Sequence, residues 1–197
     1  MNQEETSTRQ RIINAASEVF LELGYARATT RKIAATANLT EVTLFRYFGT
    51  KEALFAAAFE QYGAVPDLQQ SLQEQLTGDY RHDMKCMGQT FMEFVKAKGE
   101  VIRLSMCEAK YFPQVRNSVS KAPRVLRQLL ANYLQQQMDK GAIRTINPDI
   151  AANSFWGIFL YNYLFRLILD EPSAPNLSES EMIDQIVDIF VDGTIIK

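Results

Sequence analysis

Residues 29–51 constrain the fold most strongly, because they predict two short helices joined by a tight turn. The first helix is predicted to start at Thr29 or Thr30, whose hydroxyl can accept a hydrogen bond from a free backbone amide. Its apolar residues recur at helical spacing and are Ile33, Ala34 and Ala37. Asn38 comes next and tolerates the left-handed conformation in which helices commonly end. A turn is therefore predicted directly after this helix.

The second helix is predicted over residues 41–48, with Thr40 as its N-cap and Gly49 after its last residue. At 100° per residue its side chains separate into two faces. The face expected in the core carries Leu44, Phe45 and Phe48, and the opposite face carries Val42, Thr43, Arg46 and Tyr47. The segment is therefore a predicted helix-turn-helix with one face free to contact another molecule.

Positive charge is concentrated on this helix-turn-helix, although the whole chain is slightly acidic. The 197 residues include 21 Lys and Arg against 23 Asp and Glu, a net charge of −2. Residues 27–51 hold five basic residues and one acidic residue, a net charge of +4, so the remainder carries −6. These residues are Arg27, Arg31, Lys32, Arg46 and Lys51, with Glu41 as the acidic one. Such local charge suits contact with nucleic acid phosphates.

The composition predicts an all-α fold of about nine helices. Hydrophobic residues make up 47% of the chain, glycine and proline are scattered, and no long alternating run of Val, Ile and Thr occurs. A helix over residues 9–23 should pack with the two short helices as an N-terminal three-helix domain, followed by a helix capped by Thr50. Later helices are predicted over residues 67–76, 79–98, 101–112, from Ser120 or Arg124 to Lys140, and over 148–169 and 179–192.

The run from Gly63 to Asp67 is the predicted domain boundary, since Pro66 disfavours helical geometry at the residue before it. We therefore expect a helix-turn-helix domain in residues 1–62. A larger helical domain is expected in residues 63–197.

Residues 151–169 form a mostly apolar run that is long enough to span a bilayer. The run contains Asn153, Asn162 and Arg166, however, and a charged residue near the centre of such a helix costs roughly 2.5–3.5 kcal/mol. We therefore expect a buried helix of a cytoplasmic protein instead. The polar N-terminus and the two separated cysteines, Cys86 and Cys107, favour the same interpretation.

The motifs of the N-terminal residues resemble those of the TetR family of transcriptional regulators. The resemblance rests on Leu23-Gly24-Tyr25, Thr29-Thr30, Ile33-Ala34, the segment from Thr43 to Phe48, and Lys51-Glu52-Ala53-Leu54. It implies that the second short helix enters the major groove of DNA and that two subunits bind an inverted repeat. It also implies a C-terminal helical domain that dimerises and binds a small molecule. The expected function is a DNA-binding transcriptional regulator, a repressor released by an effector.

Carried over residue by residue, the resemblance implies a set of side chains that contact double-stranded DNA. They are Thr30, Arg31, Thr40, Val42, Thr43, Arg46, Tyr47 and Lys51. Arg46 suits a bidentate contact with guanine or a pair with a phosphate, and Val42 or Thr43 can contact a thymine methyl group. Glu41 can accept from a cytosine amino group, or it can be a structural carboxylate that stabilises the helix N-terminus.

Two positions depart from the pattern of the family. Asn38 stands where many members have Gly, which the turn should tolerate. Phe45 stands where many members have Tyr, so a phosphate hydrogen bond is lost there and Phe45 is expected in the core.

The sequence shows no arrangement typical of an enzyme. His82, the only histidine, lies in the polar run 80–83 without an accompanying nucleophile, carboxylate pair or glycine-rich loop. A metal site would need more ligands than one histidine and two separated cysteines. We therefore expect neither catalysis nor a bound cofactor or metal.

The C-terminal domain is rich in aromatic and methionine side chains, which form the deformable linings that suit hydrophobic ligands. Candidate ligand contacts are Met87, Phe91, Phe94, Met106, Trp156, Phe159 and Tyr163, although plain core packing is favoured for any one of them. We expect a small, hydrophobic effector there, and a protein partner is the alternative. Residues 148–169 and 179–192 are expected to form a two-fold homodimer interface.

Overall fold

The structure is a computed structural model, and it describes residues 3–62, 65–113, 116, 120–169 and 177–196. Within these ranges regular structure is helical, and the only β-type pairing is an isolated antiparallel bridge between Ile143 and Ile195. The predicted all-α fold is therefore confirmed.

Nine helices lie in the described ranges. In chain order they are α1 (Gln3–Arg27), α2 (Thr30–Thr36), α3 (Glu41–Phe48), α4 (Lys51–Tyr62), α5 (Val65–Glu74), α6 (Tyr80–Ala109), α7 (Lys121–Asp139), α8 (Pro148–Leu169) and α9 (Glu179–Asp192). This agrees with the prediction of about nine, because α6 joins two of the ten ranges predicted above. The boundaries of α1 and α6 differ from those expected, and α5 begins at Val65, inside the predicted boundary run, with Pro66 in its first turn.

Helix α1 extends beyond both ends of the predicted first helix. It begins at Gln3 instead of Arg9, and its bounds run to Arg27. Gly24 interrupts the helix with a backbone conformation of φ 72° and ψ 166°, which glycine adopts without steric cost. The Ala28 amide then donates to the Gly24 carbonyl at 3.2 Å and closes a short turn. The regular part of the helix therefore ends where the sequence predicts.

Helix α6 joins two predicted helices, residues 79–98 and 101–112, into one. Gly99 lies between them, and glycine destabilises a helix interior by roughly 1 kcal/mol relative to alanine. In the structure Gly99 is buried against Tyr163, and a Cβ atom at this position would overlap the Tyr163 hydroxyl. The glycine therefore permits close packing of α8 on a continuous helix.

The chain divides into two compact units. The first unit comprises Met1–Ala64 and Glu100–Lys121, and the second comprises Val65–Gly99 and Ala122–Lys197. Helix α6 contributes its N-terminal part to the second unit and its last turns to the first.

This division by compactness differs from the predicted domains, 1–62 and 63–197, because residues 100–121 belong to the first unit. The reason is hydrophobic packing: Leu104 is buried in the core of the first unit. Partly buried side chains from the same stretch that pack on this core are Val101, Ala109 and Phe112.

The core of the first unit is built from α1 to α4. Its fully buried side chains include Ile12, Phe20, Ile33, Leu44, Leu54 and Phe55. Helix α1 contributes Ile12, Ile13, Ala16, Val19 and Phe20 to this core, so α1 packs with the two short helices as predicted.

The core of the second unit is built mainly from α6 to α9. Its buried side chains include Met84, Met87, Leu130, Phe155, Phe159, Ile183 and Val191. The Trp156 indole N–H donates to the Leu126 carbonyl at 3.0 Å, which satisfies a buried polar atom. No helix in the described part of the chain combines the length and apolar composition needed to cross a membrane.

Candidate nucleic-acid interface

Two threonine caps fix the starts of the short helices. The Thr29 side chain accepts from the Lys32 amide at 3.1 Å at the start of α2. The Thr40 side chain accepts from the Thr43 amide at 3.2 Å at the start of α3. Both caps agree with the prediction from the sequence. Each threonine oxygen accepts from an amide that a helix leaves unpaired at its N-terminus.

The turn between α2 and α3 is closed by its backbone and anchored to α1. Asn38 has φ 60°, as predicted, and the Leu39 amide donates to the Ala34 carbonyl at 2.9 Å. The Arg11 guanidinium of α1 donates to the Ala37 carbonyl at 2.7 Å. This role of Arg11 was not predicted, since no local pattern relates residues that are 26 positions apart.

One face of α3 is buried, as expected, but Phe45 is not part of it. Leu44 is fully buried, and Phe48 is half-buried against the core of the first unit. Phe45 is 42% exposed, so its predicted core position is wrong. Leu44 and Phe48 are four residues apart and share one line along the helix, whereas Phe45 lies about 100° around the axis from Leu44.

On the opposite face of α3, Val42 and Arg46 are exposed, whereas Thr43 and Tyr47 are half-buried. Val42 is 80% exposed, and Arg46 is exposed with its guanidinium 5.4 Å from the centroid of the Tyr47 ring. Tyr47 is half-buried and packs on the core of the first unit, so it supports Arg46 from a fixed position. Thr43 is half-buried, and its hydroxyl lies 2.9 Å from the Thr40 hydroxyl.

The first residues of α2 and α3 are joined directly. The Thr30 hydroxyl donates a hydrogen bond to the Glu41 carboxylate. Glu41 lies in the first turn of α3, where the helix dipole stabilises a negative charge. This contact favours a structural role for Glu41 over a contact with a cytosine amino group. It also gives the Thr30 hydroxyl a partner within the protein.

The Lys51 side chain contacts Tyr25 within the first unit. Its ammonium donates to the Tyr25 carbonyl at 2.6 Å and lies 4.2 Å from the centroid of the Tyr25 ring. Burial lowers the pKa of Lys51, while the negative charges of Glu52 and Glu108 act in the opposite direction. A phosphate contact from this side chain therefore competes with Tyr25. The start of α4 also offers backbone N–H groups.

Tyr25 connects this lysine to the aromatic core. Its ring lies 4.8 Å from the Phe55 ring, and its hydroxyl donates to the Glu52 carboxylate at 2.9 Å. Burial raises the pKa of Tyr25, and the hydrogen bond to Glu52 adds to this shift. Tyr25 was predicted only as part of a motif, because partners such as Glu52 and Phe55 of α4 are distant in sequence.

Several of the basic residues in the segment 27–51 already have partners within the protein. Lys32 forms an exposed ion pair with Glu22 at 3.0 Å, and Arg27 donates to the Leu23 carbonyl at 3.0 Å. Arg31 and Arg46 are exposed and have no ion-pair partner within the described ranges. The positive charge available to an outside partner is therefore centred on these two arginines.

The predicted ligand residues are distributed over the two units. Met87, Phe91, Trp156 and Phe159 are buried in the second unit, while Phe94 and Tyr163 are half-buried there. Met106 is 49% exposed and belongs to the first unit, unlike the other six. The reason is the continuous α6, which carries Met106 beyond the end of the second unit.

Close packing leaves little space around the buried members of this set. The Phe91 and Trp156 rings lie 5.0 Å apart between centroids. A Cβ atom on Gly88 would lie 2.8 Å from the Phe159 ring. A cavity of about 350 Å³ in the same unit is lined instead by residues of α5 and α7 and by Leu76.

Asp83 is a buried polar residue to which the sequence analysis assigned no function. Its carboxylate accepts from the Thr77 amide, the Thr77 hydroxyl, the Gly78 amide and the Tyr133 hydroxyl, each at 2.8 Å. Burial alone would raise the pKa of Asp83, but these hydrogen bonds hold the pKa below its ordinary value. Asp83 therefore ties the loop before α6 to α7.

Two family models match the chain. Residues 12–58 match the tetR family of bacterial regulatory proteins, and residues 82–193 match the C-terminal domain of AefR-like transcriptional repressors. The HTH-type transcriptional regulator YvkB of Bacillus subtilis is 31% identical over 94% of this chain and 96% of its own length. The HTH-type transcriptional repressor AcnR of Corynebacterium diphtheriae is 25% identical, with 84% of each chain covered.

The fold is shared with solved regulators. The fatty acid degradation regulator FadR from Bacillus halodurans superposes with a TM-score of 0.70 at 18% identity, covering 93% of this chain and 94% of its own. Together with the helix-turn-helix geometry, the matched models and the full-length relative establish the family. The chain belongs to the TetR family of helix-turn-helix transcriptional regulators.

Proposed function

We propose that this regulator is a homodimeric repressor that binds an inverted repeat in DNA through α3 and is released by a small effector. The exposed face of α3 carries this proposal. Arg46 and Val42 project from a helix whose other face is fixed in the core by Leu44. Arginine suits bidentate contact with guanine, and valine suits a thymine methyl group.

Two copies are needed for a long recognition sequence. Helix α3 has eight residues and is about 12 Å long, so one copy spans only a few base pairs. A two-fold dimer supplies a second copy, and its two half-sites are expected about 34 Å apart or at a multiple of that distance. Arg31 at the start of α2 and the backbone N–H groups at the start of α4 are proposed to hold the phosphates.

An exposed apolar stripe on α8 supports the dimer. Ile158, Tyr161 and Phe165 are exposed at helical spacing, and Gly157 beside them is also exposed. On α9, Ile189 is 74% exposed. A monomer rarely leaves such a surface in water, and a second copy of α8 and α9 would cover it.

The proposed effector acts through the second unit. An effector that binds one conformation better than another shifts the population toward it, and release follows when that conformation has lower affinity for DNA. A hydrophobic effector among the predicted aromatic residues would have to displace Phe159 and Trp156 from their close packing.

Selection of bound sequences from a random DNA pool tests sequence-specific binding. We expect the wild-type protein to enrich an inverted repeat. On the enriched site, Arg46→Ala should weaken binding by about tenfold to a hundredfold, as loss of one bidentate base contact implies. Arg127→Ala removes one positive charge from α7 and serves as the matched control, with little expected effect. A pool without an enriched repeat, or equal affinities of the two variants, would contradict the proposal.

A further inference from the structure

Phe45 is a large apolar side chain of α3 that the fold leaves uncovered. Its neighbour Leu44 is fully buried, and Phe48 packs on the core of the first unit, whereas Phe45 is 42% exposed. A phenylalanine ring gains little from water and much from a partner that covers it. The position of Phe45 on the helix indicates which partner that is.

Phe45 lies beside Val42 on the surface of α3. The two residues are three positions apart, which places them about 60° apart around the helix axis, with Cβ atoms roughly 5–6 Å from each other. Val42 is 80% exposed. Arg46, which is also exposed, follows Val42 by four positions and lies on its other side. The exposed surface of α3 therefore consists of an apolar strip, Phe45 and Val42, next to an arginine.

The side of α3 that carries Phe45 does not suit a phosphate. Glu41 lies one turn before Phe45 on this side, and its carboxylate accepts from the Thr30 hydroxyl. A carboxylate repels a phosphate, and a phenylalanine ring has no hydrogen-bond donor to offer one. The tyrosine that many members of the family have at this position would supply such a donor, and Phe45 lacks it.

The apolar group that bases present in the major groove is the methyl group of thymine. It lies at the side of the base nearest its own backbone, which is where a side chain on the flank of a bound helix comes close. We infer that Phe45 is a specificity-determining residue whose ring contacts a thymine methyl group, next to the base that Val42 contacts. The inference rests on the proposed function, because it assigns a further base contact to the same helix.

Deoxyuridine in place of thymine tests this contact, because it removes the methyl group and keeps the base pair. The DNA is the inverted repeat enriched from the random pool, with symmetry-related thymines of the two half-sites replaced one pair at a time. Titration of the full-length protein measures the affinity. At one thymine position we expect deoxyuridine to weaken binding of the wild type by about fourfold for each methyl group lost.

Phe45→Ala and Leu21→Ala form a matched pair of variants. Both shorten an exposed apolar side chain of the first unit, and Leu21 is 37% exposed on α1, outside the helix-turn-helix. At the position assigned to Phe45, Phe45→Ala should bind the thymine and deoxyuridine sites with equal affinity. Leu21→Ala should keep the fourfold difference. Val42→Ala should keep it as well, and should lose the difference at its own thymine instead.

Three results would contradict the inference, and they differ in what they say about the proposed function. If the Phe45 ring packs on sugar and phosphate, Phe45→Ala will weaken binding to both DNAs alike and leave every deoxyuridine effect unchanged. An enriched repeat in which no thymine is sensitive to deoxyuridine would overturn the inference and leave the proposed function intact. A pool without an enriched repeat would contradict the proposed function, and the inference with it.

Discussion

At the scale of single residues, Asp83 shows how a buried charge is made stable. Its two oxygens accept four hydrogen bonds, and its side chain has no exposed surface. Hydrogen bonds to a charged group contribute roughly 1.5–3 kcal/mol each, so an ionised Asp83 is favoured in the folded protein despite burial. Through this one carboxylate, the start of α6 is joined to the preceding loop by Thr77 and Gly78 and to α7 by Tyr133.

Asp83→Asn should lower the free energy of unfolding by about 2 kcal/mol at pH 7, because the amide nitrogen faces the Gly78 amide and cannot accept from it. The folded pKa of Asp83 lies below its unfolded value of about 3.9. The stabilisation is therefore complete above about pH 5 and is lost as the pH falls through the folded pKa. Urea unfolding at pH 7 and pH 3 measures the difference between variant and wild type.

The exposed Asp139→Asn is the control for this experiment, with a small expected effect at both pH values. A difference between Asp83→Asn and wild type that is as large at pH 3 as at pH 7 would contradict an ionised Asp83.

Residue roles divide into those that the sequence predicts and those that it does not. Thr40 and Asn38 were predicted from local chemistry, because a cap and a left-handed residue act within a few positions. Lys51 was predicted as a phosphate contact, but its bond to the Tyr25 carbonyl depends on how α1 packs on α4. The contacts of Asp83 with Tyr133 and of Arg11 with Ala37 join residues that are distant in sequence, and no local pattern reveals such partners.

At the scale of elements, α3 depends on its surroundings for stability. Isolated helices of eight residues are marginal in water, since nucleation is costly. Burial of Leu44 and the Thr40 cap stabilise α3 in this protein.

Thr40→Ala should therefore lower the free energy of unfolding by about 1 kcal/mol and weaken DNA binding. Thr40→Ser keeps the capping hydroxyl and should restore both. Chemical denaturation and DNA titration of the two variants measure these effects. A serine variant with wild-type stability but the DNA affinity of the alanine variant would show that Thr40 acts through its methyl group instead.

Helix boundaries that have a local cause were predicted, and those that depend on distant residues were not. The bounds of α3 agree with the prediction because its cap and the following Gly49 lie next to it in sequence. The continuous α6 was not predicted, since the burial of Gly99 depends on Tyr163 of α8. The cavity between α5 and α7 was not predicted either, because its lining residues belong to two segments with no shared motif.

At the scale of the whole molecule, the proposed dimer explains why α8 is apolar on nearly every side. Phe155 and Phe159 face the core of the second unit, while Tyr161 is 55% exposed. Helix propensity and mean hydropathy cannot distinguish a core face from an interface face, so the sequence predicted the interface only from the excess of apolar residues.

Tyr161→Glu should convert the dimer into a monomer, because a carboxylate in an apolar interface is costly to desolvate. The exposed position of Tyr161 means that the fold itself should tolerate the change. Gln135→Glu on α7 is the control and should remain dimeric. Light scattering coupled to size-exclusion chromatography measures the mass, and a dimeric Tyr161→Glu would place the interface elsewhere.

In the proposed dimer, two copies of α3 are held at a fixed spacing and contact two half-sites on one side of the duplex. Titration of DNA with five base pairs inserted between the half-sites of the enriched sequence tests this arrangement, since the insertion turns one half-site by about half a helical turn. We expect the affinity to fall to that of a single half-site. Unchanged affinity for the lengthened site would contradict this arrangement.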